Sequence, residues 1–362
     1  MSETTMFERL KGLLAGSGRK ARHLVELYRL DSLRARGIAG AAGLIGLALI
    51  VVGLGLGMFW SVEPDRFDVE ANAEAMAEVE GGAVVTGYVT VAALERVAET
   101  LLDKSGGYLS NDVMPPGVLL DNIPNWEFGV LVQVRDLARA LRNDWSRSQS
   151  QSVEDRDLAV AEPQFNVNSE SWMFPPSETE YREGVEALRR YRVRLNDESQ
   201  QDSQFYARAD NLVAWLAVVE KRLGSLSQRL SASVGQARIN TDLAGELGAE
   251  NATLRPVELK VKTSWLEIDD VFYEARGTTW ALVHFLHAVE QDFNGILRNK
   301  NAMTSLRQVI RELEASQQSL WSPVILNGSG FGVLANHSLV MASYVSRANS
   351  AVIDLRSLLD RG

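Results

Sequence analysis

Residues Ile38 to Trp60 form an uninterrupted run of 23 positions that contains no charged residue. As an α-helix this run would be about 34 Å long, enough to cross a hydrocarbon core of about 30 Å. A secretory signal peptide has a shorter apolar region and a small-residue cleavage motif, whereas this run ends in Met58, Phe59 and Trp60. The sequence therefore predicts a retained transmembrane helix over residues 38–60, with the lipid bilayer as its partner.

The charges on the two sides of this run differ. Residues 1–37 carry eight Lys and Arg with four acidic residues, whereas residues 61–80 carry one Arg with seven acidic residues. Since basic flanks stay in the cytoplasm, we predict a basic cytoplasmic segment over 1–37 and place everything after Trp60 across the membrane. That part holds 29 basic and 43 acidic residues, so we expect it to bind no nucleic acid.

The chain contains no cysteine. This excludes disulfides and thiolate–metal chemistry, so an exported part must be stabilised by its own hydrophobic core. No pattern for a cofactor or a metal is found in the sequence, and we expect neither.

Small residues lie along one face of the predicted transmembrane helix. Ala39, Gly43, Gly46, Gly53 and Gly57 follow one another at steps that place them on one stripe, and Gly53 and Gly57 form a small-xxx-small pair. Such a stripe permits a second helix to approach closely, as in a homo-oligomer or a transport assembly. Glycine is also common in membrane helices in general, and the sequence does not choose between the two interpretations.

The helical period dominates the rest of the chain. Apolar residues alternate at three- and four-residue steps in four long stretches: 130–141, 205–230, 268–296 and 341–359. This spacing is typical of long helices that pack at shallow angles. The predicted fold is mainly α: a single transmembrane helix followed by an exported bundle of long antiparallel helices.

Two features complete the predicted organisation. Residues 61–85 are acidic and alanine-rich, and we predict a spacer there, which leaves 86–362 as the helical domain. Residues 84–91 and 257–261 are rich in β-branched residues or alternate in polarity. Each is a candidate strand, so at most a small two-stranded element is expected.

The segments DNIPNWEFGVLVQVRD (121–136), FYARADNL (205–212) and GSGFGVLANHSLVMASY (328–344) resemble a bacterial family of single-span inner-membrane proteins. That family carries a domain-of-unknown-function label. The resemblance covers nearly all of the chain from about residue 86 onward. It implies a Gram-negative envelope setting, where the part after Trp60, on the orientation predicted from the charges, would lie in the periplasm. It implies no activity, ligand or catalytic residue.

Glu127 lies between Trp126 and Phe128 and is the first candidate site residue. We interpret Asn125 as a helix N-cap and Glu127 as a first-turn carboxylate that offsets the helix dipole. On this interpretation Trp126→Ala costs about 3–5 kcal/mol, and Glu127→Gln costs at most about 1 kcal/mol. The alternative is a general acid, which would need a second carboxyl group about 5–9 Å away.

Asp270 and Glu274 are four residues apart, so they share one face of a predicted helix and are the candidate partners of Glu127. The simpler interpretation is an acidic face that pairs with Arg276 or with a neighbouring helix. His284 and His287 lie further along, and we interpret them as interfacial histidines rather than metal ligands. Similarly, we interpret RRYRVR (189–194) as one solvated helix face.

These features favour a non-enzymatic, membrane-anchored scaffolding or interaction protein of the cell envelope. Its expected partner is an envelope protein or a second copy of the chain. The alternative is an enzyme that cleaves cell-wall glycan or peptide through Glu127 with Asp270 or Glu274.

Overall fold

The computed structural model describes residues 37–148, 153–197, 202–239, 258–322, 324–329 and 333–361. The chain forms two compact units, which divide between Phe59 and Trp60. The predicted basic segment over 1–37 lies outside the described residues, apart from Gly37.

Helix α1 runs from Gly37 to Trp60, and all of it except Trp60 belongs to the first unit. Residues Ile38–Trp60 are long and apolar enough to cross a membrane, and little of their surface is buried within the protein. A Cβ atom added at Gly43, Gly46 or Gly53 would meet nothing within 4 Å in the part that the structure describes. These positions are therefore accessible to lipid or to another helix, and the predicted helix contact there stays a prediction.

The second unit is a helical bundle, which confirms the predicted fold class. Most residues of the apolar seams read from the sequence lie on its long helices. The helices are α2 (Val69–Glu80), α3 (Tyr88–Asp103), α4 (Asn122–Ala140), α5 (Leu158–Phe165), α6 (Ser177–Asn196), α7 (Ala209–Ser231), α8 (Ile268–Asp292), α9 (Asn294–Asn299), α10 (Met303–Ala315) and α11 (His337–Asp360).

A small two-stranded sheet interrupts the helices, with strands β1 (Gln236–Ile239) and β2 (Glu258–Val261) paired antiparallel. The strand predicted over 257–261 is confirmed from Glu258 onward, and Val257 lies outside the described residues.

The strand predicted over 84–91 is wrong. Gly87 adopts a left-handed backbone with φ of 92°, and α3 begins directly after it at Tyr88. The carboxylate of Asp292 accepts hydrogen bonds from the backbone N–H groups of Gly87 and Thr90, each at 2.8 Å. The β-branched run therefore starts a helix because a carboxylate from α8, distant in sequence, caps it.

Residues 61–85, which the sequence predicts to be a spacer, form part of the second unit. Asp68 caps α2 through a hydrogen bond from the backbone N–H of Ala71. Val69, Ala73 and Ala77 of α2 are buried in a small apolar cluster with residues of α3. The segment is therefore folded as far as Glu80 and packs against α3.

Aromatic residues fill the centre of the bundle. The indole of Trp145, which lies in the short π-helix that follows α4, packs against Phe205, Trp215 and Phe293 with ring centroids 5.0–5.7 Å apart. Contacts join Asn125 to Asp270 near the helix starts and Trp145 to Phe293 near their ends. The two helices that carry the candidate site residues, α4 and α8, therefore run in the same direction.

Candidate functional site

The segment that contains Glu127 is the beginning of helix α4, but the helix starts earlier than the sequence predicts. Its N-cap is Asp121, whose carboxylate accepts a hydrogen bond of 2.9 Å from the N–H of Asn122. Pro124 fits inside the first turn because the first N–H groups of a helix have no partner within the helix. The prediction of Asn125 as the N-cap is wrong, since Asn125 lies three residues inside the helix and hydrogen-bonds Asp270.

Glu127 is completely buried and forms an ion pair with Lys104, whose side chain is also buried. The Lys104 Nζ atom lies 2.6 Å from Oε1 of Glu127. The backbone N–H groups of Leu109 and Ser110 donate hydrogen bonds to the carboxylate at 2.9 and 2.8 Å. The Ser110 hydroxyl donates a further hydrogen bond at 2.5 Å. Glu127 therefore joins the loop after α3 to helix α4.

This environment determines what Glu127 can do. Burial raises the pKa of Glu127, while the ammonium group of Lys104 and the hydrogen bonds from Ser110 and Leu109 act in the opposite direction. A general acid must reach its substrate, but Glu127 has no exposed surface and both of its oxygens are engaged. The carboxylate holds a loop in place, and the first-turn dipole role predicted from the sequence does not describe it.

Trp126 is fully buried, as its position beside the helix start predicts. Its ring packs on that of Trp280 of α8, with centroids 5.2 Å apart. Two glycines make the crossing of α4 and α8 possible. A Cβ atom added at Gly277 would lie 1.9 Å from the carbonyl oxygen of Trp126, and one at Gly129 would lie 2.1 Å from that of Glu274. Trp126 thus contributes to packing at a close helix crossing.

The two candidate partner carboxylates have contacts of their own. Asp270 accepts a hydrogen bond of 2.8 Å from the Asn125 amide, and its pKa is raised by partial burial and by the nearby charges of Asp269 and Asp121. Glu274 forms an ion pair with Arg229 of α7. The structure gives Glu127, Asp270 and Glu274 separate sets of partners.

The histidines of α8 differ from each other. His284 is buried, stacks on Phe67, accepts a hydrogen bond from the Phe67 N–H and contacts the Trp280 carbonyl oxygen at 2.8 Å. Burial lowers the pKa of His284 to about 4, so the ring is neutral at pH 7. His287 lies 3.5 Å from Glu314. No group of three or more metal-ligating side chains occurs among the residues that the structure describes.

Two arginines of RRYRVR have contacts that the sequence does not indicate. Arg192 is buried and pairs with Glu95, also buried, and with Glu80. Arg194 is buried and pairs with three carboxylates: Asp155, Asp157 and Asp202. The prediction of one solvated face is therefore wrong for these two arginines. Their partners are up to 112 residues away, so no local pattern indicates them.

Comparison with known proteins places the chain in a family. The family described as an uncharacterized protein conserved in bacteria, DUF2333, matches residues 33–362. The chain belongs to this family. The match confirms the resemblance seen in the sequence, and in this DUF2333 protein it covers the apolar helix as well as the bundle. No curated protein and no solved structure matches the chain.

Proposed function

We propose that this DUF2333 protein is a membrane-anchored interaction module of the bacterial envelope. In this proposal, residues 38–60 cross the inner membrane, the N-terminus is cytoplasmic, and the bundle lies in the periplasm. The observation that carries it is helix α1, which is long and apolar enough to span a membrane and has little surface buried within the protein. The excess of Lys and Arg before this helix supports the orientation.

The contacts of the candidate catalytic residues favour an interaction role over hydrolase activity. The carboxylate of Glu127 is fully engaged by contacts with Lys104, Leu109 and Ser110. In a glycosidase mechanism, its partner would have to be Asp270 or Glu274. Each of those carboxylates contacts a different residue, and a glycosidase needs two carboxyl groups that flank one bond. A bundle whose buried charges fix loops and helices is suited to presenting a rigid surface to a partner.

Two treatments of the full chain test the two halves of this proposal. Alkaline carbonate extraction should leave the protein in the membrane pellet, whereas the double variant Leu49→Arg/Ile50→Arg should appear in the soluble fraction because charges at mid-span are costly. After purification in mild detergent, the full chain should retain an envelope protein or a second copy of itself. A wild-type chain that is carbonate-soluble contradicts the anchor, and one that is monomeric and without a partner contradicts the interaction module.

A further inference from the structure

The large apolar side chains exposed on the second unit are concentrated in a few loops. Within the described part of this unit, every exposed Trp, Met and Leu lies in a segment that precedes or follows a helix at one end of the bundle. Phe174 is 92% exposed and Trp321 is 97% exposed. We call this set the apolar rim; its members are Val113, Met114, Val118, Leu119, Trp172, Met173, Phe174, Trp265, Leu266, Trp321 and Leu334.

Hydrogen bonds hold the first two loops of the apolar rim together. The hydroxyl of Tyr108 donates to the carbonyl oxygen of Ser169 at 3.0 Å. The amide of Asn111 donates to the carbonyl oxygen of Ser171 at 2.8 Å. The loop between α3 and α4 therefore lies beside the loop between α5 and α6.

The remaining loops join the same end through α8. Trp265 and Leu266 directly precede α8, whose first turn reaches α4 through the hydrogen bond from Asn125 to Asp270. Two turns later, Arg276 donates hydrogen bonds to the carbonyl oxygens of Ser316 and Gln318, shortly before Trp321.

The chain enters the second unit at this same end. Trp60, the last residue of α1, lies against Gly106, where an added Cβ atom would be 2.7 Å from the indole. Three residues later Glu63 forms an ion pair with the buried Arg276. If residues 38–60 span a bilayer, covalent continuity alone places Trp60 at the membrane surface, and the apolar rim is attached to the same end of the bundle.

We infer that the apolar rim inserts into the headgroup–acyl boundary of the membrane that α1 crosses, so that the bundle is docked on the bilayer as well as tethered to it. This inference rests on the proposed membrane anchor. Exposed Trp, Phe, Met and Leu at loop tips are the side chains that lie stably at this boundary. The far end of the bundle differs, because its exposed large apolar residues are mainly valines such as Val79, Val84 and Val153.

The charges around the apolar rim indicate which kind of lipid headgroup it can lie against. The adjoining residues are mainly acidic, and Lys104 is already paired with Glu127. The acidic positions in these loops and helix starts are Asp112, Asp121, Glu170, Glu178, Glu180, Glu267, Asp269 and Asp270. Such a surface is repelled by anionic headgroups. It fits a zwitterionic bilayer through apolar contact, and high salt should not release it.

Single cysteines in the full chain test the inference, since the natural sequence contains none. The variants Leu119→Cys, Phe174→Cys and Leu266→Cys report on three loops of the apolar rim. Val153→Cys is the matched control, because Val153 and Phe174 are 93% and 92% exposed. Ile50→Cys reports on the anchor. Each protein is labelled with an environment-sensitive fluorophore and reconstituted into phosphatidylcholine vesicles that carry a nitroxide near the headgroup.

The expected result is a blue-shifted emission at all three rim positions, with quenching by the lipid nitroxide several-fold stronger than at position 153. Rim labels that iodide quenches as readily as the label at position 153 overturn the inference while leaving the anchor intact. Rim labels that neither quencher reaches also overturn it, since protein then covers the surface. A label at position 50 that only iodide quenches refutes the anchor itself.

Discussion

The Nζ atom of Lys104 lies 2.6 Å from Oε1 of Glu127, and both side chains are buried. The pair spans the loop between α3 and α4, and the N–H groups of Leu109 and Ser110 complete the shell of the carboxylate. A buried charge that loses its partner is strongly destabilising, whereas removing both charges costs much less. Glu127 is therefore a structural residue, and its contribution can be measured as a change in the free energy of unfolding.

The first prediction concerns this pair. Glu127→Gln leaves the Lys104 ammonium buried without a counter-charge, so we expect a loss of about 3–5 kcal/mol in unfolding free energy. This exceeds the loss of at most about 1 kcal/mol expected for a first-turn carboxylate. The double variant Lys104→Met/Glu127→Gln should be more stable than Glu127→Gln in thermal unfolding of the full chain in detergent. A double variant less stable than both single variants would show that the pair does not act as a unit.

The second prediction concerns the crossing of α4 and α8. An added methyl group at Gly277 would lie 1.9 Å from a backbone oxygen that no side-chain rotation can move. We expect Gly277→Ala to destabilise the protein by about 1–3 kcal/mol or more, although alanine favours helices. Gly224→Ala in α7 is the control, because its nearest contact would be an ordinary 3.6 Å. Thermal melts should move in opposite directions, and a neutral Gly277→Ala would contradict the crossing.

The sequence predicted the long helices through their apolar seams, because burial on one face imposes a period that is visible locally. The partners of Glu127 and Arg192 could not be predicted, since an ion pair between distant segments leaves no periodic pattern. The start of α3 was missed for the same reason, because its cap is Asp292 of α8.

The third prediction compares a buried and an exposed arginine of α6. The side chain of Arg192 is 4% exposed and pairs with the buried Glu95, whereas that of Arg190 is 53% exposed. Methionine keeps the apolar stem and removes the charge in each case. Arg192→Met should cost about 1–3 kcal/mol, because the buried Glu95 then keeps only the partly exposed Arg189 as its partner. Arg190→Met should cost at most about 1 kcal/mol. Equal losses in thermal unfolding would contradict the assigned burial.

The fourth prediction is a pH dependence due to His284. Its pKa is about 4 in the folded protein and about 6.5 when unfolded. The unfolded state therefore binds the proton first as the pH falls, and the folded protein loses stability between about pH 6.5 and 4. Asp292, whose folded pKa is about 6, acts in the opposite direction over much of this window.

The comparison with His284→Gln isolates the histidine, because Asp292 is present in both proteins. The stability advantage of the wild type over the variant should shrink by up to about 3 kcal/mol from pH 6.5 to 4. A difference that does not change with pH would show that His284 titrates normally in the folded protein.

The most direct test of the account is the side of the membrane on which the bundle lies. A single cysteine at Val153, an exposed position of the second unit, and one at Ser17, before the apolar helix, can be labelled without background. In intact spheroplasts, a membrane-impermeant maleimide should label Val153→Cys at once and Ser17→Cys only after lysis. Labelling of Ser17→Cys alone in intact spheroplasts, or of neither before lysis, would contradict a periplasmic bundle on a membrane anchor.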